Sequence, residues 1–228
     1  MVMIAAVRAV KWAPSWRVIP TRYAEDQILG KISDGEDLEL TAGVEQLTSD
    51  RRRQLDEEVS LVPAEDRVTG PGSDYIMAPF TYRNPDGSRF SDGAHGVYYA
   101  ARAQATAVEE TKHHRAVFMS RTKEGPMRLE MRVLTADLDG ELHDVRGQRK
   151  KHPALYHRSN YSASQAFGRR MAAEGSYGIV YDSVRHKGGQ CAAVFRPPVL
   201  SRCRSAGLLA FDWNGVEVAK VYELREYK

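Results

Sequence analysis

The stretch from Gly87 to His114 constrains the fold more than any other. It opens with a polar, glycine-bearing turn around Arg89 and passes into the short apolar run Gly96-Val97-Tyr98-Tyr99-Ala100. Helix-forming residues then extend from about Arg102 to Ser120. The apolar run is rich in β-formers and too short for a helix, so it predicts a strand. The run that follows predicts a helix from composition alone. A strand leading directly into a helix places the chain in the α/β class.

Within the predicted helix, Ala103, Ala107, Glu110, His114 and Phe118 recur at a 4-3-4-4 spacing and share one face. Glu110 therefore falls on a stripe of small and apolar residues. A carboxylate there costs free energy unless it is paired or used, or unless the helix starts elsewhere and leaves it in water. Glu109 carries the same charge but points about 100° away.

The 228 residues are enough to bury a substantial core. The net charge of +3 is spread over many charges of both signs, too weak a balance to argue for nucleic acid. No apolar run approaches the roughly 18 residues that cross a bilayer. The apolar N-terminus, Met1 to Val7, has Arg8 and Lys11 after it rather than before, which is the wrong order for a signal peptide. It reads as a strand. Cys191 and Cys203 are the two cysteines, twelve residues apart with no CxxC; Cys191 reads as a small buried residue and Cys203 as an incidental one, in a reducing cytoplasm. No histidine spacing makes a convincing metal site, and none is expected.

Trp16 to Ile19 reads as a short strand stopped by Pro20, with Arg17 and Arg22 beside the proline. An isolated arginine there is ordinarily a surface residue. Residues 24–62 are polar and helical in character, with the charge cluster Arg51-Arg52-Arg53 on a solvated face. Residues 63–73 read as a loop. Met127, Leu129, Met131 and Val133 alternate with charged residues, the pattern of a half-buried strand, and Asp137 to Gly140 reads as a turn. Ser162 and Gln165 form a capping-box pattern opening a helix that Gly175 ends. Gly178 to Arg185 and Gln190 to Arg196 form a hairpin around His186-Lys-Gly-Gly189. A second hairpin turns at Trp213-Asn214-Gly215.

Arg17, Arg89, Tyr99, Glu110 and Ser183 remain as candidates for chemistry. The motifs Trp16-Arg17-Val-Ile-Pro, Gly87-Ser-Arg89-Phe90, Val97-Tyr-Tyr99-Ala-Ala with Glu110 eleven residues beyond Tyr99, Tyr181-Asp-Ser183-Val-Arg185 and Gly188-Gly189 through Phe195-Arg196-Pro resemble the RES family. The resemblance runs from about Trp16 to Pro198. Two departures are Ser88-Arg89-Phe90 in place of Gly-Arg-Trp, and the long segment 24–75. The resemblance implies a single domain over 1–228 with a helical insertion at about 24–75. It implies a compact α/β (α+β) fold with a split antiparallel sheet and flanking helices, like that of ADP-ribosyltransferases.

It also implies the toxin of a toxin–antitoxin pair, acting on NAD⁺ as substrate without a metal. The reaction would cleave the nicotinamide–ribose bond by hydrolysis or phosphorolysis, or transfer ADP-ribose to a protein. The implied partner is a helix-turn-helix antitoxin that covers the site. Arg17 and Arg89 would bind the pyrophosphate or a ribose, Tyr99 would stack on nicotinamide or ribose, Ser183 would bond a ribose hydroxyl or the carboxamide, and Glu110 would be catalytic, with Arg89 and Tyr99 beside it. These residue types suit the chemistry. Arginine matches phosphate oxygens bidentately, and a carboxylate stabilises the oxocarbenium-like centre left by the departing base. A different class of reading is a basic nucleic-acid module or ribonuclease using His114, His143, Arg185 and Lys187. It needs a concentrated basic face, and the charge here is interspersed.

Overall fold

The computed structural model describes residues 5–21, 60–81 and 84–225. Seven strands order as β1-β2-β5-β4-β3-β6-β7, and β1 also pairs with β3, so the pairing among the first five strands closes on itself. Their ranges are β1 Ala6–Pro20, β2 Tyr98–Ala101, β3 Met127–Asp144, β4 Gly178–Asp182, β5 Gln190–Val194, β6 Leu200–Trp213 and β7 Val218–Leu224. Neighbours are antiparallel except β3 and β4, which meet in parallel at His143↔Ile179 and Asp144↔Val180. Three helices flank the sheet among the described residues: α1 Ser73–Thr81, α2 Gln104–Thr122 and α3 Ser162–Ala173. The mixed α/β fold with a largely antiparallel sheet is the one expected.

The sheet has a core on each face, because successive strand residues point to opposite sides. On β2, Tyr99 and Ala101 join one core and Tyr98 and Ala100 the other. The first core takes Ala107 and Met119 from α2 and Phe167 and Met171 from α3. The second takes Ile76 and Phe80 from α1, together with Trp12, Leu134 and Leu138. Complete burial of side chains such as Met131, Leu138 and Ile179 contributes about 1.5–3 kcal/mol each.

Several expectations are corrected. Trp16–Ile19 is not a separate strand but the end of the 15-residue β1, whose register shifts between Trp12 and Ser15, where Pro14 has no N–H to give the ladder. Asp137–Gly140 is not a turn. It lies within the 18-residue β3, held by β1 on one side and, at Asp137 and Leu138, by β6 on the other. Tertiary pairing here overrides a local turn signal. Residues 63–73 are not all loop, since Ala64–Asp66 forms a short 3-10 helix and Ser73 opens α1. Most of the 24–75 insertion, including Arg51–Arg53, lies outside the described residues. Both predicted hairpins form, as β4–β5 and β6–β7.

The predicted capping box does not form. Tyr161 is the N-cap of α3 without a side-chain bond, and Asn160 Oδ1 instead accepts from the Ser162 amide at 3.0 Å and its hydroxyl at 2.8 Å. Gln165 reaches out of the helix and donates through Nε2 to the carbonyls of Ser88 (3.1 Å) and Ser91 (3.3 Å). The helix ends as expected at Gly175, at φ +76°, with Gly175 N donating to Ala172 O and Ser176 N to Met171 O, a Schellman closure.

Candidate functional site

Glu110 sits in the second turn of α2 and faces the end of β4. Ser183 follows β4 and begins the turn to β5. Its Oγ accepts from the amides of Arg185 (3.1 Å) and His186 (2.9 Å), so the hydroxyl proton is left to donate to Glu110 Oε1, 2.6 Å away. Cys191 Sγ approaches the same Oε1 at 3.9 Å, a weak second donor. Burial, with the Glu110 charge behind it, pushes the Cys191 thiol well up, so it stays protonated. Both donors converge on one carboxylate oxygen and fix the group's orientation.

The helix face around Glu110 differs from the predicted stripe. Thr106, Ala107 and Met119 are buried, whereas Ala103, His114 and Phe118 are exposed. The helix begins at Gln104 with Ala103 extended, and Glu110 is tied inward by its bond with Ser183 rather than by a continuous apolar stripe. Glu109 turns aside and pairs with Lys112 at 3.2 Å, partly exposed to solvent.

Arg89 is 6% exposed. Its Nη1 donates to the carbonyls of Leu155 (3.2 Å) and His157 (3.0 Å), and its guanidinium lies over the Tyr161 ring, 4.6 Å from the centroid. The turn that carries it is fastened twice. Gln165 holds the carbonyls of Ser88 and Ser91. Tyr99 OH accepts from Phe90 N at 3.0 Å and shares a proton with Ser88 Oγ at 2.8 Å. Burial pushes the Tyr99 phenol up to about 12, so it is neutral. Its hydroxyl is committed to the turn, and its ring packs against the same core as Tyr181. Gly168 of α3 permits this approach, since a Cβ there would lie 2.0 Å from Phe90 O.

Arg17 is not brought to this group. It lies on the opposite face of the sheet, over the Tyr98 ring at 4.4 Å, with a buried Nη1 that has no hydrogen-bond partner among the described residues. Of the basic-module residues, His143 is set apart from Arg185. His143 Nδ1 is bonded to Ser176 Oγ at 2.8 Å, before the start of β4, whereas Arg185 lies beyond its end. Among the described residues no three His, Cys, Asp or Glu side chains are placed to share a metal ion. No described helix is long and apolar enough to cross a membrane.

A family model of the RES domain matches residues 64–214, a span containing Arg89, Tyr99, Glu110 and Ser183. The chain belongs to the RES domain family. This RES domain is also 29% identical over 211 residues to the uncharacterized protein y4oC of Sinorhizobium fredii (strain NBRC 101917 / NGR234), covering 91% of this chain and 86% of that one. Among solved structures, the M. tuberculosis MbcT–MbcA toxin–antitoxin complex superposes with a TM-score of 0.40 and 17% identity, over 53% of this chain and 72% of that chain. Arg17 precedes the span that the family model matches.

Four further residues join the candidate site without a mark as such in the sequence: Arg149, whose Nη2 donates to Ser183 O at 2.8 Å, and Tyr161, Gln165 and Cys191. The only local signal was the spacing of Ser183 to Arg185 and His186, which suits a hydroxyl accepting from the amides two and three residues on. Tyr161 and Cys191 reach the site through tertiary contacts and carry no mark in the sequence.

Proposed function

We propose that this RES domain consumes NAD⁺ by breaking the bond between nicotinamide and ribose, as the toxin of a toxin–antitoxin pair. The observation that carries the reading is the Glu110–Ser183 pair. A carboxylate is oriented through Oε1 by a hydroxyl whose own acceptor capacity is taken up by two amides, and Oε2 is the oxygen assigned here to the substrate. In the departing-base transition state, positive charge grows on the ribose C1′ and ring oxygen. A fixed carboxylate beside it lowers the barrier without reorganising. Glu110 can also hold the incoming nucleophile through that oxygen.

The surrounding arginines suit an anionic substrate. Arg89 and Arg149 donate to main-chain carbonyls, which carry no full charge to cancel theirs. Arg89 is the proposed pyrophosphate contact, and charge-assisted bonds of this kind contribute about 1.5–3 kcal/mol each. Tyr99 supplies an aromatic ring to the wall and fixes the Arg89 turn. Ser183 sets Glu110, a role different from a direct ribose contact. Family membership supports the toxin role and, with it, a helix-turn-helix antitoxin that covers the site. Incubating the purified protein with NAD⁺, with and without phosphate and a lysate protein fraction, tests the reading. Release of nicotinamide supports it. ADP-ribose, ADP-ribose 1″-phosphate or modified protein as co-product identifies water, phosphate or a side chain as acceptor. Intact NAD⁺ under all conditions contradicts it.

A further inference from the structure

Arg185 touches neither Glu110 nor Arg89, yet it is bonded to the supports of both. Its amide is one of the two that fix Ser183 Oγ. Its Nη2 lies 2.7 Å from His113 Nε2 on α2, one turn beyond Glu110, and is within bonding distance of the carbonyl of Arg158 and of Tyr161 OH, the latter at 3.5 Å. The segment from His157 to Tyr161 is the one that holds Arg89, through the His157 carbonyl and the Tyr161 ring. We propose that Arg185 is a positioning residue that sets the separation between the helix bearing Glu110 and the 157–161 segment that holds Arg89.

All three partners meet one guanidinium nitrogen, Nη2, whose two N–H point in directions fixed by the planar group, toward His113 Nε2 and the Arg158 carbonyl, with Tyr161 OH at the 3.5 Å margin. A freely rotating ammonium does not fix those directions. The contact also fixes the state of His113. To accept from a guanidinium, Nε2 must be unprotonated, so the neutral ring carries its proton on Nδ1. Burial first, then the Arg185 charge, pushes the His113 pKa down to about 4. The other charged or titratable groups acting on it are His114 and Glu110 on α2 and Arg158 opposite. The kinetic part of this proposal rests on the NAD⁺ reading, whereas the His113 part does not.

The test compares the full chain with Arg185→Ala and Arg185→Lys. In the parent, His113 should titrate near 4 by NMR, and in Arg185→Ala its pKa should rise toward the ordinary histidine value. In NAD⁺ turnover, Arg185→Ala should lower kcat about 10–100-fold, the scale of a site displaced by an ångström, with KM changed less than about threefold. Arg185→Lys, which keeps the charge but not the planar fork, should fall between. Parent-level kcat in Arg185→Ala, a change in KM alone, or an unmoved His113 titration overturns the proposal. If Arg185→Ala does not fold, Arg185→Lys carries the test, and parent-level kcat with an unmoved His113 overturns it. A parent that leaves NAD⁺ intact defeats the proposed reaction, and the His113 titration then decides the geometric claim alone.

Discussion

Ser183 Oγ lies 2.6 Å from Glu110 Oε1 and is itself held by the amides of Arg185 and His186. The two residues are 73 positions apart in the chain, one on a helix and one at a strand end. Their contact joins the α2 side of the site to the β4–β5 turn, and it gives the carboxylate one orientation.

Ser183→Ala removes the donor to Glu110 and leaves two amides of a partly buried turn without their acceptor. The predicted outcome is a kcat about 10–100-fold lower with little change in KM, because the carboxylate remains but is no longer held. Stability should fall by about 1–3 kcal/mol for the orphaned amides. Steady-state kinetics and a denaturant titration check both parts. Unchanged kcat would mean that the serine serves only the turn.

Gly168→Ala tests the support of Arg89 from the far side. The added methyl would lie 2.0 Å from Phe90 O, and a main-chain oxygen in a fastened turn cannot yield cheaply. Overpacking of this kind costs about 1–3 kcal/mol, so the melting temperature should drop. NAD⁺ affinity should fall with it, since the turn carrying Arg89 must move. A variant as stable as the parent, binding NAD⁺ equally well, would show that α3 does not position the turn.

Arg89 and Arg17 are expected to separate. Arg89→Lys keeps the charge but loses the planar fork, and should weaken NAD⁺ binding about 10–100-fold, the equivalent of about 1.5–3 kcal/mol. Arg17→Lys, on the other face of the sheet against Tyr98, should weaken it less. Calorimetric titration of both variants decides. A larger loss at Arg17 would mean that the substrate reaches the Tyr98 side of the sheet.

Both hairpins, the first half of β3 and the strand-to-helix entry at Tyr98–Gln104 were legible because their alternation and turn residues are local. What stayed hidden depends on distant partners. Asp137–Gly140 reads as a turn until β1 and β6 are known to bracket β3 there. Gln165 reads as a cap until the Ser88 and Ser91 carbonyls are seen within its reach. The helix around Glu110 was legible but its apolar stripe was partly wrong: His114 and Phe118, two of the supposed stripe-mates, are exposed. The contrast with Glu109 was sound, because adjacent helical residues cannot share a face. The face of Arg17 could not be read, since parity along a strand needs its register, and the register is set by β3.

The central claim is that the Glu110 carboxylate, and not merely an acidic helix, stabilises the cationic ribose. Glu110→Gln keeps the size and can still accept from Ser183, but removes the charge. Glu109→Gln removes the same charge from the neighbouring residue, which instead pairs with Lys112. Steady-state NAD⁺ turnover of the two variants beside the parent is the most direct test. The account predicts that Glu110→Gln binds NAD⁺ but turns it over about two to three orders of magnitude more slowly, the scale of losing one transition-state electrostatic contact, and that Glu109→Gln is nearly silent. Equal turnover in the two variants, or a loss confined to Glu109→Gln, would contradict it.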